Sequence, residues 1–186
     1  MKKTLLAATL ATLTLLSASS AFAADGTLNF TGDIKDVTCV VDLTGAGGTN
    51  LSVDMGSFNK NALSGSAGTT SNATKFAIKL KTCPVAYTKA TVEFDGTADS
   101  NDNKVLALTA GTGADAQATG VGIQLIDKDG TVLPLKTEST SYALVSGTSV
   151  ADNVNSLDFT ARYVATAATV TAGKANATAN FTIKYN

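Results

Sequence analysis

Short segments in which apolar and polar residues alternate follow one another from about residue 27 onwards. This alternation is the period of a β-strand, whose successive side chains point to opposite faces, and no sustained helical period accompanies it. Turn residues such as Asp95-Gly96 and Asp129-Gly130 separate the segments, and the second pair fits a tight hairpin. These features predict an all-β sandwich or barrel.

The composition agrees with this class. The exported part is rich in Thr, Ala, Val, Gly, Asn and Asp, and the chain contains two prolines and no tryptophan. No internal repeat or convincing domain boundary is visible, so one domain of ordinary size is expected. The alternating segments predict strands at residues 27–34, 37–43, 50–55, 73–82, 88–94, 105–109, 120–126, 131–135, 157–165 and 175–185.

Residues 1–23 have the pattern of a bacterial secretory signal. Lys2 and Lys3 precede an apolar stretch, and small residues follow as far as Ala21-Phe22-Ala23. The stretch is too short to span a bilayer and no later segment is apolar for long enough, so no membrane insertion is expected. We expect the exported chain to begin at Ala24 and to carry a net charge of −3, against −1 for the full sequence.

The residues that catalysis and metal binding need are scarce. The sequence has no histidine, no CxxC pair and no G-x-S-x-G motif, and its aspartates lie beside turn residues. Asp127-Lys128-Asp129-Gly130 lacks the further ligands of a calcium loop and is interpreted as a hairpin turn. No basic cluster is present that could bind nucleic acid. We therefore predict no enzyme activity, no catalytic residues, no metal site, no cofactor and no nucleic-acid partner.

Cys39 and Cys83 both lie in the exported part of the chain. In the oxidising periplasm a disulfide between two such cysteines is the default, and a catalytic or metal-binding role is the weaker interpretation without histidine. A bridge that closes a loop of roughly 45 residues contributes about 3 to 4 kcal/mol in the chain-entropy account of disulfides. We predict that the bridge forms.

The first alternating segment places Leu28, Phe30, Gly32 and Ile34 on one face. Its simplest interpretation is a first strand whose apolar side faces its own core. The glycine fits that interpretation poorly, because a glycine weakens a strand interior and is best understood where an opposing surface comes very close. The residues alone leave open whether this strand serves its own core or another surface.

The last segment alternates in the same way, with Phe181, Ile183 and Tyr185 on its apolar face, and the sequence ends at Asn186. We expect a strand in this position to have no following segment with which to pair on its free side. An apolar edge of that kind promotes aggregation in a monomer, so a strand supplied by another molecule is the expected partner.

Several motifs occur in a fixed order along almost the whole exported chain. They are Gly26-Thr27-Leu28-Asn29-Phe30-Thr31-Gly32-Asp33-Ile34 with Cys39 beyond it, Lys81-Thr82-Cys83-Pro84, Gly120-Val121-Gly122-Ile123-Gln124-Leu125 before Asp129-Gly130, Phe159-Thr160-Ala161-Arg162-Tyr163, and Gly173 with Tyr185 near the end. Each motif is weak alone, and their order and spacing make the set specific. In this set the sequence resembles the major pilins of chaperone-usher fimbriae, the type 1-like family.

The resemblance implies an incomplete immunoglobulin-like β-sandwich that lacks its last strand and is completed by a donor strand from another subunit. Residues 24–36 then form the N-terminal donor-strand extension, and residues 37–186 form the pilin domain. Within the extension, the apolar side chains enter pockets of the neighbouring subunit and the glycine passes a constriction. These donor residues are Leu28, Phe30, Gly32 and Ile34.

The resemblance also implies an acceptor groove that a periplasmic chaperone fills first. At the outer-membrane usher, the donor strand of the next subunit replaces the chaperone strand. The carboxylate of Asn186 is expected to anchor in a basic cleft of the chaperone, and the cysteines tie the first core strand to a neighbouring strand. The groove and the chaperone-recognition strand include Gly173, Phe181, Ile183, Tyr185 and Asn186.

The function that the resemblance implies is that of a structural subunit of a fimbrial rod used in bacterial adhesion. Its partners are other copies of the same pilin, the chaperone and the usher, and its route leads through the periplasm to the extracellular fimbrium. A minor pilin, acting as an adaptor or near the tip, shares the same terminal patterns and stays an alternative. A tip adhesin with an additional receptor-binding domain is disfavoured by the length of the chain, and a monomeric secreted β-sandwich that binds a ligand is the remaining alternative.

Overall fold

The computed structural model of the chain describes residues 28–32, 38–147 and 154–186. Contacts between residues divide the chain into two units, Met1–Ile34 and Lys35–Asn186. The secretory signal predicted at residues 1–23 lies outside the described residues.

Nearly all regular structure in the described residues is β-strand. In chain order the elements are β1 (Val40–Val41), α1 (Lys60–Leu63), β2 (Thr74–Lys81), β3 (Lys89–Asp95), a 3-10 turn (Gly113–Asp115), β4 (Val121–Ile126), β5 (Tyr142–Ala143), β6 (Asn155–Ala165) and β7 (Asn180–Tyr185). The predicted all-β class is therefore confirmed.

The strands of the second unit form two antiparallel sheets. The four-stranded sheet has the order β1-β2-β6-β4, and the three-stranded sheet has the order β5-β3-β7. The alternating sequence of β6 is matched by alternating burial, with Leu157, Phe159 and Ala161 inside. Period-two patterning therefore sets which face of each strand enters the core.

Aromatic side chains join the two sheets at the centre of the core. Phe159 of the four-stranded sheet is 1% exposed, and its ring centroid lies 5.0 Å from that of Phe94 on the three-stranded sheet in an edge-to-face arrangement. Phe76 lies against both rings, at 6.0 Å from Phe94 and 5.8 Å from Phe159. Because edge-to-face pairs are favoured by the ring quadrupole, this cluster fixes how the sheets face each other.

The predicted disulfide between Cys39 and Cys83 is present. Both cysteines are buried, and they lie just before β1 and just after β2, which pair with each other. The amide of Asn155, at the start of β6, donates a hydrogen bond to Cys83 Sγ at 3.5 Å. The bridge therefore holds the short edge strand β1 to the centre of its sheet.

Four predicted strands are found at nearly their predicted positions, as β2, β3, β4 and β6. Residues 105–109 and 131–135 form only isolated bridges, through Leu106 to Ile123 and through Val132 to Ile126. Residues 50–55 form no strand. These three predictions were wrong because alternation alone does not provide a neighbouring strand with which to pair.

The last strand is shorter than its predicted range of residues 175–185, because β7 begins only at Asn180. The preceding residues bond to other segments: Lys174 N donates to Ala116 O, and Asn176 O accepts from Thr109 N. The first two predicted strands, at residues 27–34 and 37–43, fall partly outside the described residues. Within them, only Val40–Val41 forms a strand.

A buried ion pair holds the loop that follows β1. Asp42 is 3% exposed, and its Oδ2 lies 2.6 Å from Nζ of Lys81 on β2. Its Oδ1 accepts a hydrogen bond from Gly47 N at 2.8 Å. The hydrogen bond from Lys81 is the largest cause that holds the pKa of Asp42 below its usual value, and the Gly47 N–H adds to it.

The lowered pKa of Asp42 predicts an acid-sensitive contribution to stability. This contribution is complete above the pKa of an unfolded aspartate, about 3.9, and is lost as the pH falls through the lower folded value. We expect the urea midpoint of the wild-type chain to fall on acidification from about pH 5 to about pH 2, and to fall less in Asp42→Asn and in Lys81→Met. Urea titrations followed by circular dichroism measure this.

The exposed carboxylate of Asp115 provides the matched control, since it lies 3.8 Å from Lys174 with 80% of its side chain exposed. Asp115→Asn should leave the pH dependence of the midpoint as it is in the wild type. An equal change in the control and in Asp42→Asn would show that the ion pair is not the acid-sensitive element.

Candidate functional site: an open groove beside the last strand

An open groove of about 830 Å³ runs along the sandwich between two extended segments. We call residues 49–56 the first lip and residues 175–181 the second lip. The floor consists of core side chains from both sheets and from the segment between them, and it is almost entirely apolar: Phe76, Ile78, Phe94, Leu106, Ile123, Leu125, Ala161 and Tyr163. The groove therefore has the setting of a core strand, without a strand of the described residues in it.

One edge of β7 has no neighbouring strand among the residues that the structure describes. β7 pairs with β3 alone, and the described residues place no strand on its other side. Asn186 and Lys89 exchange two backbone hydrogen bonds of 2.9 Å, which makes them a hydrogen-bonded pair of the ladder. Because such pairs alternate along antiparallel strands, the N–H and C=O groups of Phe181, Ile183 and Tyr185 point away from β3. These groups are available to a strand that lies beside β7.

The first lip has the pattern of a strand but no assigned partner. Val53 and Met55 are half-buried, while Ser52 and Asp54 between and beside them are exposed. Asp54 Oδ1 accepts a hydrogen bond from Gly56 N at 2.9 Å, which stabilises the turn at the end of the lip. The segment therefore follows the period of a strand, while it pairs with no strand of the described residues.

The structure brings together three of the residues predicted for the groove. Phe181 lines it directly, and Ile183 and Tyr185 continue the same face of β7, half-buried against the core. The ring of Tyr185 lies 5.0 Å from that of Tyr87, and burial raises the pKa of the Tyr185 hydroxyl. Asn186 is exposed, outside the groove lining.

Gly173 also lies outside the groove lining, where it packs against another segment. A Cβ atom on Gly173 would lie 2.5 Å from both Ala118 N and Gln117 C, and 2.7 Å from Ala116 O. The glycine is therefore required by a close backbone approach that sets the course of the chain before the second lip. This role is structural, and the predicted part of Gly173 in the acceptor groove stays a prediction.

Two donor residues predicted from the sequence have side chains that are open to solvent. Leu28 is 84% exposed and Phe30 is 91% exposed, and residues 28–32 have no assigned strand. A Cβ atom on Gly32 would meet no atom within 4 Å. Ile34, the fourth predicted donor residue, lies outside the described residues.

Sequence reasoning missed most of the groove. The alternation of residues 50–55 was visible but carried no sign that this segment lies across a groove from residues 175–181. The floor residues were recognisable only as apolar strand positions. Tyr163 stood within a family motif, and nothing in the sequence indicated that it contacts the second lip.

Other kinds of site are not found in the part of the chain that the structure describes. No three acidic, cysteine or histidine side chains come together there as metal ligands. Among the same residues, no helix combines the length and the apolar character needed to cross a membrane.

Fold and groove together define an antiparallel β-sandwich with an unfilled strand position. A model of the fimbrial protein family matches residues 28–186. The chain is 35% identical over 186 residues to long polar fimbria protein A of Salmonella typhimurium. The aligned region covers 100% of this chain and 97% of that protein. The chain therefore belongs to the fimbrial protein family.

Solved structures show the same relationship. The crystal structure of an antigen and type I fimbria protein of Burkholderia pseudomallei is 42% identical, with a TM-score of 0.57 over 86% of this chain and 97% of that one. The P pilus rod subunit PapA shares the fold with a TM-score of 0.62 at 23% identity, over 81% of this chain and 100% of PapA. As a member of this family, the chain is a structural subunit of an extracellular fimbrium and not an enzyme.

The close approach at Gly173 generates a testable prediction. In Gly173→Ala the added methyl group meets backbone atoms, which cannot move aside as a flexible side chain can, so we expect a loss of about 1 to 3 kcal/mol in the free energy of unfolding. Chemical denaturation of the disulfide-bonded subunit measures it. Ala172→Val adds a larger group at the exposed neighbouring position and should change the free energy by less than about 0.5 kcal/mol. Equal stability of Gly173→Ala and the wild type would refute the steric argument.

Proposed function

We propose that this chain polymerises by donor-strand exchange, in which residues 24–36 of one subunit fill the groove of the next. The observation that carries this proposal is the groove itself: an apolar floor bordered by β7, whose outer edge pairs with no strand of the described residues. Addition of a strand to an exposed sheet edge satisfies both features at once, and donor-strand complementation of pilins is a known case of it.

The composition of the donor segment fits the groove. Leu28 and Phe30 are large apolar side chains that are almost fully exposed, and they alternate with the polar Asn29 and Thr31. Burial of a leucine, phenylalanine or isoleucine side chain stabilises by roughly 1.5 to 3 kcal/mol. Each ladder hydrogen bond to the free edge of β7 adds about 0.5 to 1.5 kcal/mol net. The sum over a strand of this length exceeds what a surface contact supplies.

The geometry of the contact favours an open polymer. The donor segment and the groove are different surfaces of one chain, so each subunit can give a strand to one neighbour and accept a strand from another. A head-to-tail contact that does not close on itself propagates into a filament. Because the donor strand completes the core of its acceptor, the stability of the interface and the stability of the fold become one quantity.

Before assembly, the open groove requires protection. A free strand edge beside an apolar floor favours aggregation. A periplasmic chaperone that fills the groove with a strand of its own would remove that hazard, and an outer-membrane usher would exchange this strand for the donor segment. The recognition strand for the chaperone is β7, with Phe181, Ile183 and Tyr185 facing the added strand and Asn186 at its end.

Deletion of residues 24–36, with residues 1–23 kept for export, tests the donor assignment. We expect the shortened subunit to be captured by the chaperone and to bind a synthetic peptide of residues 24–36, but to form no fibres, because it has no strand to give. Electron microscopy of the cell surface and peptide binding to the purified subunit measure the two halves of this prediction. Long fibres made of the shortened subunit would show that another segment is the donor.

Gly32 tests the predicted constriction within the groove. Gly32→Leu adds a side chain where the described structure leaves open space, so the subunit itself should fold as before. We expect fibre growth to slow at least tenfold, because the new side chain meets the groove floor. The matched control is Thr31→Leu, which adds a leucine to the opposite face of the donor strand. Light scattering measures fibre growth. Equal growth rates for both variants would show that the groove has no constriction at the position of Gly32.

A further inference from the structure

Tyr163 is a buried tyrosine of β6 that lines the groove. It is 6% exposed, and its side chain belongs to the floor between the two lips. Most floor residues are purely apolar, whereas Tyr163 also carries a hydroxyl group. Its contacts therefore differ from those of the aliphatic and phenylalanine side chains around it.

The hydroxyl group of Tyr163 is bound to the second lip. It donates a hydrogen bond to the backbone carbonyl of Ala175 at 3.1 Å. Ala175 is the first residue of that lip. It lies between Lys174, whose N–H donates to Ala116 O, and Asn176, whose carbonyl accepts from Thr109 N. The hydrogen bond thus holds the point at which the second lip begins.

The ring of Tyr163 contacts the segment that follows the first lip. Its centroid lies 5.5 Å from that of Phe58, two residues beyond the first lip, with an angle of 76° between the ring planes. Burial raises the pKa of the Tyr163 hydroxyl, and the negative charge of Asp54 in the first lip raises it further. One side chain is therefore in contact with the second lip and with the segment that continues the first.

The backbone of Tyr163 is itself fixed. Tyr163 N donates to Ser71 Oγ at 3.0 Å, and Ser71 N donates to Tyr163 O at 3.0 Å. On its other side, Tyr163 lies opposite Ile123 in the β4–β6 ladder. Because the backbone is fixed and the ring is rigid, the hydroxyl group of Tyr163 has a defined position. The carbonyl of Ala175 that it binds is held in place as a result.

We propose that Tyr163 is a positioning residue that holds the two lips at the separation a donor strand needs. The proposal rests on the proposed function, since it concerns how the groove receives its strand. An inserted strand lies about 4.7 to 4.9 Å from each neighbouring strand, so the lips must stay about twice that far apart. Without a support, the apolar floor favours movement of the lips towards each other, because that movement removes apolar surface from water.

A groove that is held open binds its strand at a lower cost. Lips that must first separate would spend part of the binding free energy on that movement, and pre-organisation avoids it. The hydroxyl group is the specific element, because a phenylalanine ring could fill the same space in the floor without bonding Ala175.

Tyr142 provides a matched control. It is 7% exposed, and its hydroxyl group donates to a backbone carbonyl, that of Asp158 on β6, at 2.6 Å, with Asp127 Oδ1 as a longer second partner at 3.4 Å. It also contacts the core ring of Phe159, at 5.6 Å between centroids. Tyr142 does not line the groove. Tyr142→Phe therefore removes a buried hydrogen bond from a tyrosine hydroxyl to a backbone carbonyl, together with the longer contact with Asp127, in the same sandwich and away from the lips.

The experiment compares Tyr163→Phe, Tyr142→Phe and the wild type as full exported chains. A fluorescent peptide of residues 24–36 is added in excess, and its uptake is followed with time on unboiled denaturing gels. The urea midpoint of each chain is measured in parallel. A peptide in which Phe30 is replaced by Asp reports uptake that does not depend on the groove.

We expect both variants to have lowered urea midpoints, and only Tyr163→Phe to take up the peptide more slowly, by about two- to tenfold, as the loss of one net hydrogen bond predicts. Amide exchange in residues 49–56 and 175–181 should become faster in Tyr163→Phe alone. Uptake at the wild-type rate, or equal slowing in both variants, would overturn the positioning role. Failure of the wild type to prefer the unmodified peptide would instead overturn the donor-strand proposal, and this inference with it.

Discussion

The free edge of β7 beside an apolar floor is the constraint on which the rest of the structure depends. Half of the backbone groups of β7 bond to β3, and the other half point to a position that no strand of the described residues occupies. Backbone groups without a partner carry a cost in water, and one added strand can both bond to them and cover the apolar lining of the groove. The sandwich therefore lacks one strand. The edge of β7 and the apolar floor specify that the missing element is an extended segment with apolar side chains on one face.

The remaining features keep that position open and defined. The Cys39–Cys83 bridge and the Asp42–Lys81 pair hold β1 and its following loop to β2, at the side of the sandwich from which the first lip departs. The close approach at Gly173 directs the chain towards the second lip. These contacts lie outside the groove, so they can fix its borders without occupying it.

Most of the sheet framework could be predicted from alternation, because a half-buried strand repeats with period two and nothing else in this chain competes with that period. β2, β3, β4 and β6 were found in this way. The short strand at Tyr142–Ala143 and the helical turn at Lys60–Leu63 were not predicted, because each is set by its contacts and is too short for a pattern to emerge. The ranges around Leu106 and Val132 alternate as strands do, yet they form only single bridges.

The sequence by itself determined the all-β class, the pairing of its two cysteines and the two terminal segments that alternate between polar and apolar residues. It could do so because these properties depend on local period and on residue type. Only the tertiary structure decided that residues 49–56 and 175–181 lie on the two sides of one groove, that Gly173 lies against the backbone of residues 116–118, and that Tyr163 bonds to Ala175. Such contacts join residues far apart in the chain, and the side-chain pattern along one segment holds no information about which distant segment lies beside it.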